Sequence, residues 1–439
     1  MNEAPVDLLL TGALVLTLDQ QNREIREGAV AVRGSEIAAV GPVAELSRRW
    51  PHAPRLDTPH GLIMPGLVNV HTHAAMSCFR GLADDLPLMT WLTQYVFPAE
   101  AKLTGEIVYQ STMLSCAEMI RSGTTSFCDM YLFAAEVAAA AAACGMRAWI
   151  GEVLYDFPSP CFGEPENGFA YMEDLFAAYA GHELIRITVD PHAVYTCSPE
   201  LLRRLHGYAE RYDTHYHIHL AETREEVAGC LEKYGQRPVA HLDALGVLDD
   251  RTVAAHGIWL EPAEIELLAR RQVKVAHCPE SNMKLASGVA PVPELLAAGV
   301  TVGLGTDGAA SNNDIDLFGE MDSAAKLHKL HKLDPTVMDA ATVLALATGG
   351  GARLLGADSR IGSLEAGKKA DCIVLDLHRP HLSPFYHAAS QLVYAARGGD
   401  VVHSMINGRL VMRDRRLLTI DEEELLARMG TIARTIRPA

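Results

Sequence analysis

Apolar and polar positions alternate in two ways along the chain, and the change of pattern divides it into three parts. Near both ends, short strand-like runs are broken by turn residues. One such run, 401–411, is interrupted by Asn407-Gly408, which is a favoured two-residue hairpin turn. We therefore expect residues 1–59 and 361–439 to form one small β-sandwich domain, the alternative being two unrelated additions to a central domain.

Residues 60–360 show the second pattern, in which apolar strands alternate with longer amphipathic stretches typical of helices. Such βα units form parallel sheets, and eight of them close a barrel. The expected fold class is therefore α/β, with a (β/α)8 TIM-type barrel as the catalytic domain. The eight predicted strands are 62–69, 124–129, 146–154, 185–190, 215–220, 252–255, 273–276 and 301–305. The clearest predicted helices are 106–121, 134–143, 199–211 and 261–271.

Composition and charge narrow the classes of partner. The 439 residues are 49% hydrophobic and 21% charged, which is typical of a globular protein with a sizeable core. The formal net charge of −17 repels phosphate backbones and acidic lipid surfaces. We therefore expect no nucleic acid and no membrane as a partner.

The cysteines and the start of the chain indicate a compartment. Nine cysteines are scattered along the sequence, and none forms a Cys-x-x-Cys pair, which suits a reducing environment. The first residues include Glu3 and Asp7 and lack the basic region of a signal peptide. No apolar run approaches the ~18 residues of a membrane span. We expect a cytoplasmic protein.

The first predicted barrel strand ends in a pair of histidines, His71 and His73. Residues two apart in a strand point to the same side, so both imidazoles are placed to bind one metal ion. Two ordinary surface or core histidines are the alternative interpretation of this pair.

Further residues of metal-binding type follow later predicted strands. His219 ends the fifth strand, His256 follows the sixth, and Asp307 follows the eighth. In a (β/α)8 barrel these strand ends converge on one face, where the active site lies. Imidazole and carboxylate donors together suit zinc or iron(II). The recurrence makes a metal site a stronger interpretation than chance.

The chain resembles a known family over nearly its whole length, and six motifs carry the resemblance, three of which contain His71, His73, His219 and Asp307. The six motifs are 65–73 (PGLVNVHTH), 80–86 (RGLADDL), 219–223 (HLAET), 277–282 (HCPESN), 305–313 (GTDGAASNN) and 362–371 (GSLEAGKKAD). The chain resembles the amidohydrolase superfamily in its ATZ/TRZ branch. Within that branch it is most similar to the 5′-methylthioadenosine/S-adenosylhomocysteine deaminases.

The resemblance implies that a metal is bound by four residues, His71, His73, His219 and Asp307. Many relatives hold two metals bridged by a carboxylated lysine on strand four, but 187–192 (ITVDPH) contains no lysine. We therefore expect one divalent metal per chain, Zn²⁺ first and Fe²⁺ as the alternative. Such a metal activates a water molecule at neutral pH, and Asp307 is expected to take up its proton.

The same resemblance assigns the other site residues. Glu222 is expected to bind the substrate and shuttle a proton to its ring nitrogen, for which a carboxyl with a raised pKa is suited. His256 is expected to orient the activated water and stabilise the tetrahedral intermediate. The remaining predicted substrate contacts are Trp91, Glu100, His192 and Ser311. From the residues alone, a core aromatic remained an alternative for Trp91, and a helix cap for Ser311.

One position departs from the family pattern. Relatives that accept S-adenosylhomocysteine can use arginines on and after strand three to hold its carboxylate, but Glu152 stands where such an arginine would. No Lys or Arg follows until Arg186. Arg80 or a neighbouring subunit remains as an alternative source of a cation. We expect 5′-methylthioadenosine or adenosine to be favoured over S-adenosylhomocysteine.

The predicted function is metal-dependent hydrolytic deamination of a small purine nucleoside to its inosine analogue and ammonia, by a protein expected to be a homo-oligomer. Guanine deaminases and triazine hydrolases of the same branch share the metal and proton-shuttle residues, so they remain alternatives. A catalytically silent scaffold of the same fold is an alternative from another class. It predicts missing metal ligands, whereas all four are present.

Overall fold

The computed structural model describes residues 4–86 and 88–437. Residues 1–3 and 438–439, which the predicted domain ranges 1–59 and 361–439 include, lie outside the described residues. The strands are β1 (Leu8–Leu16), β2 (Glu24–Arg33), β3 (Glu36–Pro42), β4 (Arg55–Pro65), β5 (Leu67–Thr72), β6 (Thr124–Tyr131), β7 (Arg147–Leu154), β8 (Ile185–Ile187), β9 (Asp190–Pro191), β10 (Tyr216–Leu220), β11 (Thr252–His256), β12 (Lys274–His277), β13 (Val302–Leu304), β14 (Cys372–Asp376), β15 (Val401–Ile406), β16 (Arg409–Arg413) and β17 (Arg416–Leu417).

Helices follow most of the central strands. They are α1 (Val43–Arg49), α2 (Leu88–Trp91), α3 (Phe97–Glu100), α4 (Gly105–Arg121), α5 (Ala134–Cys144), α6 (Asn167–Ala178), α7 (Pro199–Tyr212), α8 (Arg224–Tyr234), α9 (Pro238–Leu245), α10 (Pro262–Arg270), α11 (Pro279–Lys284), α12 (Val292–Ala297), α13 (Leu317–Lys332), α14 (Ala340–Ala345), α15 (Gly351–Leu354), α16 (Ala388–Tyr394) and α17 (Glu422–Ile436). Shorter 3₁₀ and π segments are Ala74–Phe79, Leu92–Val96, Leu346–Gly350, Pro380–Leu382 and Gly398–Asp400. The four helices predicted from periodicity are confirmed to within one residue at each end. None of the helices in the described ranges is long and apolar enough to cross a membrane.

Strands from both chain ends share one sheet, in the order β17-β16-β15-β14-β4-β1-β2-β3. Strand β4 joins the two ends, because it pairs with β1 on one side and with β14 on the other. The predicted hairpin at Asn407-Gly408 is confirmed, since β15 and β16 pair antiparallel around it. Asn407 (φ 52°) and Gly408 (φ 77°) both adopt the left-handed conformation that such a turn requires.

Two parallel sheets form the centre of the molecule. One contains β5, β6, β7 and β8, with β9 paired to β7, and the other has the order β10-β11-β12-β13. Bridges from Val189 to Tyr216 and from Ala193 to His219 join them on one side. On the other side, the Asp307 amide donates to the His71 carbonyl at 3.0 Å. All residues of β5, β6 and β7 are buried, as expected of strands covered on both faces.

The predicted strand 62–69 is wrong in one respect, because it is divided at Gly66 between β4 of the end sheet and β5 of a central sheet. The Gly66 amide donates to the Asp371 carbonyl at 3.1 Å. A Cβ atom at this position would lie 2.1 Å from Thr125 Oγ1, so only glycine fits the close approach. An unbroken apolar run in the sequence conceals this division. The other seven predicted strands lie within two residues of observed ones, the fourth being split into β8 and β9.

Candidate active site

The four predicted metal ligands meet at the carboxyl ends of the central strands. The donor atoms of His71, His73 and His219 lie within 4.8 Å of one another, as do those of His71, His256 and Asp307. His73 Nε2 is 3.1 Å from Asp307 Oδ1 and 3.3 Å from His219 Nε2. The structure thus brings together residues from strands that are far apart in the sequence.

Hydrogen bonds on the far side of each ring orient the three histidine donors. The Nδ1 atoms of His73 and His219 bond to the backbone carbonyls of Met130 and His192. His71 Nδ1 instead lies 3.1 Å from His217 Nε2. Each Nε2 atom is therefore left facing the common centre, as in metal sites where outer partners fix the ligand rings.

The centre contains a buried polar atom without a partner. His71 Nε2 makes no hydrogen bond within the described residues, and Asp307 Oδ1 is 3.6 Å away. Buried nitrogen lone pairs that lack a partner are rare and costly. Three imidazole nitrogens and a carboxylate around one point are the donors that divalent zinc or iron binds, so the residues fit a metal.

Asp307 is held in place by its neighbours. It adopts a left-handed backbone conformation (φ 61°), and its Oδ2 accepts hydrogen bonds from Ser281 (2.6 Å) and Ser311 (2.9 Å). Burial alone would raise the pKa of Asp307, but the adjacent His71 and His73 hold it well below its usual range. Ser311 lines the pocket. The alternative that Ser311 caps the next helix is wrong, because Asp316 caps α13.

Glu222 and His256 face each other in the same pocket, with Glu222 Oε2 4.0 Å from His256 Nε2. Burial raises the pKa of Glu222 above its ordinary value. His256 Nδ1 lies 2.9 Å from Asn282 Oδ1. The loop that carries Glu222 is fixed by Glu226, whose carboxylate accepts from the amides of Ala221 and Glu222, both at 2.8 Å.

The predicted substrate contacts all line one pocket beside these groups. Trp91 is anchored by a hydrogen bond from Nε1 to the Ala83 carbonyl (3.0 Å), so it is both buried and part of the lining. Glu100 Oε1 accepts from the Tyr131 hydroxyl at 2.7 Å, and burial raises the pKa of Glu100 to about 7. His192 is neutral because burial lowers its pKa to about 3.

Sequence reasoning missed the apolar wall of the pocket. Tyr155 and Phe157 stack with ring centroids 3.9 Å apart, and Tyr195 and Leu285 also line the space. These residues follow strands or lie in loops, where no spacing rule marks them. Ser281 and Glu226 were also missed, although both lie within or just after quoted motifs.

No Lys or Arg of the described chain lines this pocket. Arg80, one alternative source of a cation, instead bonds to Glu118 and to the Asn313 carbonyl, so the structure contradicts that alternative. Glu152 also points elsewhere, because its carboxyl accepts from the Ala134 amide at the start of α5 (2.7 Å). Its neighbour Val153 contributes to the pocket wall.

Comparisons with known proteins agree with the geometry. The sequence profile described as "Amidohydrolase family" matches residues 62–411. A second profile, for an imidazolonepropionase-like composite domain of bacteria, matches residues 28–53. A 5-methylthioadenosine/S-adenosylhomocysteine deaminase of Syntrophobacter fumaroxidans is 58% identical over 438 residues, which cover 100% of each chain.

Two solved structures have the same fold. An adenosine deaminase from Xanthomonas campestris with bound zinc has a TM-score of 0.97 and 42% identity, covering 99% of each chain. An atrazine chlorohydrolase from Arthrobacter aurescens, complexed with zinc, has a TM-score of 0.90 and 26% identity, covering 97% of this chain and 100% of that one.

Proposed function

The chain belongs to the amidohydrolase family, and on that premise we propose that it deaminates 5′-methylthioadenosine hydrolytically. The products are the inosine analogue and ammonia. The observation that carries the proposal is the unpartnered Nε2 of buried His71, which lies 3.6 Å from Asp307 Oδ1, while Asp307 itself lines the same pocket as Glu222. One side of this pocket offers metal donors, and the other offers a buried acid.

One divalent metal per chain would be held by His71, His73, His219 and Asp307. The clustering of their donor atoms supports this set, and the lack of a lysine in 187–192 supports a single ion. Zn²⁺ is our first choice because imidazole and carboxylate donors suit it, with Fe²⁺ as the alternative. When bound, the metal supplies Lewis-acid activation of a water molecule.

The protein's own residues then handle protons. Asp307, ionised and fixed by two serine hydroxyls, accepts the proton that the attacking water gives up and passes it to the amino group, so that the C–N bond breaks and ammonia leaves. Glu222, whose raised pKa keeps it protonated to a higher pH than an exposed carboxyl, donates to the ring nitrogen beside the amino-bearing carbon. His256, held by Asn282, stabilises the oxygen added to the ring.

The remaining lining selects the substrate. Glu100 is placed to accept from ribose hydroxyls, while Trp91, His192 and Ser311 surround the nucleoside. Tyr155, Phe157 and other apolar residues suit a methylthio group, and the described lining contains no cation for an amino-acid carboxylate. The name of the 58% identical relative includes both substrates. We infer that 5′-methylthioadenosine is the better one here.

The proposal is tested by measuring ammonia release from a panel of amino-substituted nucleosides, purine bases and triazines. 5′-Methylthioadenosine should be the fastest, followed by adenosine and S-adenosylhomocysteine, and guanine and aminotriazines should be slow. Turnover of guanine or a triazine above that of the nucleosides would overturn the substrate assignment in favour of the alternatives in the same branch. Absence of ammonia release from every compound by metal-loaded protein would overturn the deaminase itself.

We also propose the finer architecture and the setting. The joined parallel sheets are assigned to one (β/α)8 barrel spanning 60–360, with the shared end sheet belonging to a β-sandwich domain; the bridges between the sheets support this. Nine free cysteines support a reducing, cytoplasmic location. The homo-oligomer stays a prediction.

A further inference from the structure

A chain of three buried side chains leads from the candidate metal centre into the core. His71 Nδ1 lies 3.1 Å from His217 Nε2, and His217 Nδ1 lies 3.4 Å from Cys128 Sγ. The exposed fractions of His71, His217 and Cys128 are 0%, 0% and 1%. Apart from His71 Nε2, which faces the proposed metal, each ring nitrogen must therefore find its partner within the protein.

Only one arrangement of protons satisfies this chain when His71 presents a lone pair at Nε2. A neutral imidazole carries one N–H, so the proton of His71 is on Nδ1 and donates to His217 Nε2. His217 then carries its own proton on Nδ1, which points at Cys128 Sγ, a weak acceptor. His217 must accept at one nitrogen and donate at the other.

We propose that His217 is a positioning residue, which fixes the ring orientation and tautomer of His71 and so strengthens metal binding. The inference rests on the proposed metal-dependent function. It adds a residue on β10 that contacts neither metal nor substrate but acts through a ligand. Because residues two apart in a strand share a side, His217 and His219 both point inward, one orienting a ligand and the other serving as one.

The other two histidine donors do not depend on a side chain in this way. His73 and His219 bond to the main-chain carbonyls of Met130 and His192, which no substitution removes. His71 relies on the His217 ring, so its orientation is open to change at position 217. Loss of an outer partner of a ligating histidine typically weakens metal binding about 10–100-fold.

The test measures how fast metal leaves the zinc-loaded protein to an excess of a coloured chelator, without substrate. His217→Leu fills the space but cannot accept a hydrogen bond, and should release zinc about 10–100-fold faster than the parent. His217→Gln keeps an acceptor oxygen and should stay within about threefold of the parent, which marks the role as hydrogen bonding rather than packing. Equal release by His217→Leu and the parent would overturn the proposal.

His328→Leu is the matched control, because His328 is equally buried and bonds to His277 Nε2 at 3.1 Å, outside this chain of contacts. It should release zinc at the parent rate, and equal acceleration in both leucine variants would overturn the proposal by showing a general loss of packing. If His217→Leu does not fold, Cys128→Ala and Cys128→Ser decide the question. The serine should retain zinc longer than the alanine, and the reverse order contradicts the chain of hydrogen bonds.

Failure of this inference and failure of the proposed function give different results. A parent protein that binds zinc but deaminates nothing contradicts the proposed deaminase function, while the comparison of variants still tests His217. A parent protein that binds no divalent metal overturns both.

Discussion

Glu222 Oε2 lies 4.0 Å from His256 Nε2, so an acid with a raised pKa and a fixed imidazole share the space where a purine ring would bind. Replacing Glu222 by Gln removes the transferable proton but keeps the size of the side chain. Glu222→Gln should keep its metal and lose about 10²–10⁴-fold in turnover. Elemental analysis and a steady-state assay measure the two effects, and Glu225→Gln, an exposed neighbour, should match the parent. Near-parent turnover by Glu222→Gln would rule it out as the shuttle.

Metal content is the second prediction. The purified protein should hold close to one zinc or iron per chain, because 187–192 contains no lysine to bridge a second ion. Asp307→Asn should lower that content by weakening the anionic donor. A second group, His206, Glu210 and Asp249, also has closely spaced donors, but Arg251 lies 3.4 Å from Asp249 Oδ2. Glu210→Gln should therefore leave the content unchanged, and two tightly held ions in the parent would contradict the prediction.

Substrate preference is the third prediction. A hydrogen bond to a charged group is worth roughly 1.5–3 kcal/mol, or about ten- to a hundredfold in binding. Since no Lys or Arg of the described chain lines the pocket, kcat/KM for 5′-methylthioadenosine should exceed that for S-adenosylhomocysteine by this factor. The change in absorbance as the adenine ring becomes hypoxanthine, measured at one pH, follows both reactions. Arg80→Ala should leave the ratio unchanged, because Arg80 is paired with Glu118. Equal use of the two substrates would indicate a cation from a neighbouring subunit.

The fourth prediction concerns pH and stability at Glu152. Burial raises its pKa from 4.5 to about 8, and the hydrogen bond that the Ala134 backbone amide donates to its carboxyl partly opposes this rise. Between these values the unfolded chain has released the proton while the native protein keeps it, so the contribution of Glu152 to stability falls as pH rises. Glu152→Gln has no proton to release. Its free energy of unfolding relative to the parent should rise by on the order of 1–3 kcal/mol from about pH 5 to pH 8.

Denaturant titration at several pH values measures this difference. Glu164→Gln, at an exposed site, should show no such trend. A constant difference between Glu152→Gln and the parent across the range would mean that Glu152 is ionised in the native protein.

The meeting of the four proposed metal ligands could be predicted from strand positions together with the family resemblance. The two-residue period of a strand puts His71 and His73 on the same side. The convergence of parallel strand ends then brings His219 and Asp307 towards them. The division of the apolar run 62–69 into two strands at Gly66 could not be predicted, because it depends on contacts with Thr125 and Asp371.

The conformation of the loops was the second feature that could not be predicted from the sequence. Ala221 and Asp307 both have positive φ, and Glu222, directly after Ala221, and Asp307 itself both line the pocket. No propensity marks such a turn at an alanine or an aspartate. Likewise, Arg80 appeared available in the sequence, and only the packing of α4 shows its partner Glu118.

Strand β4, placed between β1 and β14, has a consequence for the growing chain. Its partner on one side is already made when β4 emerges from the ribosome, but β14 follows roughly 300 residues later, a delay of about 15–60 s at 5–20 residues per second. Until then the edge around Ile63 is unpaired, and an exposed apolar edge invites strand addition from other chains. A nascent chain that stops before residue 372 would carry every predicted metal ligand and still be prone to aggregate. The last part of the chain to be made thus protects one of the first.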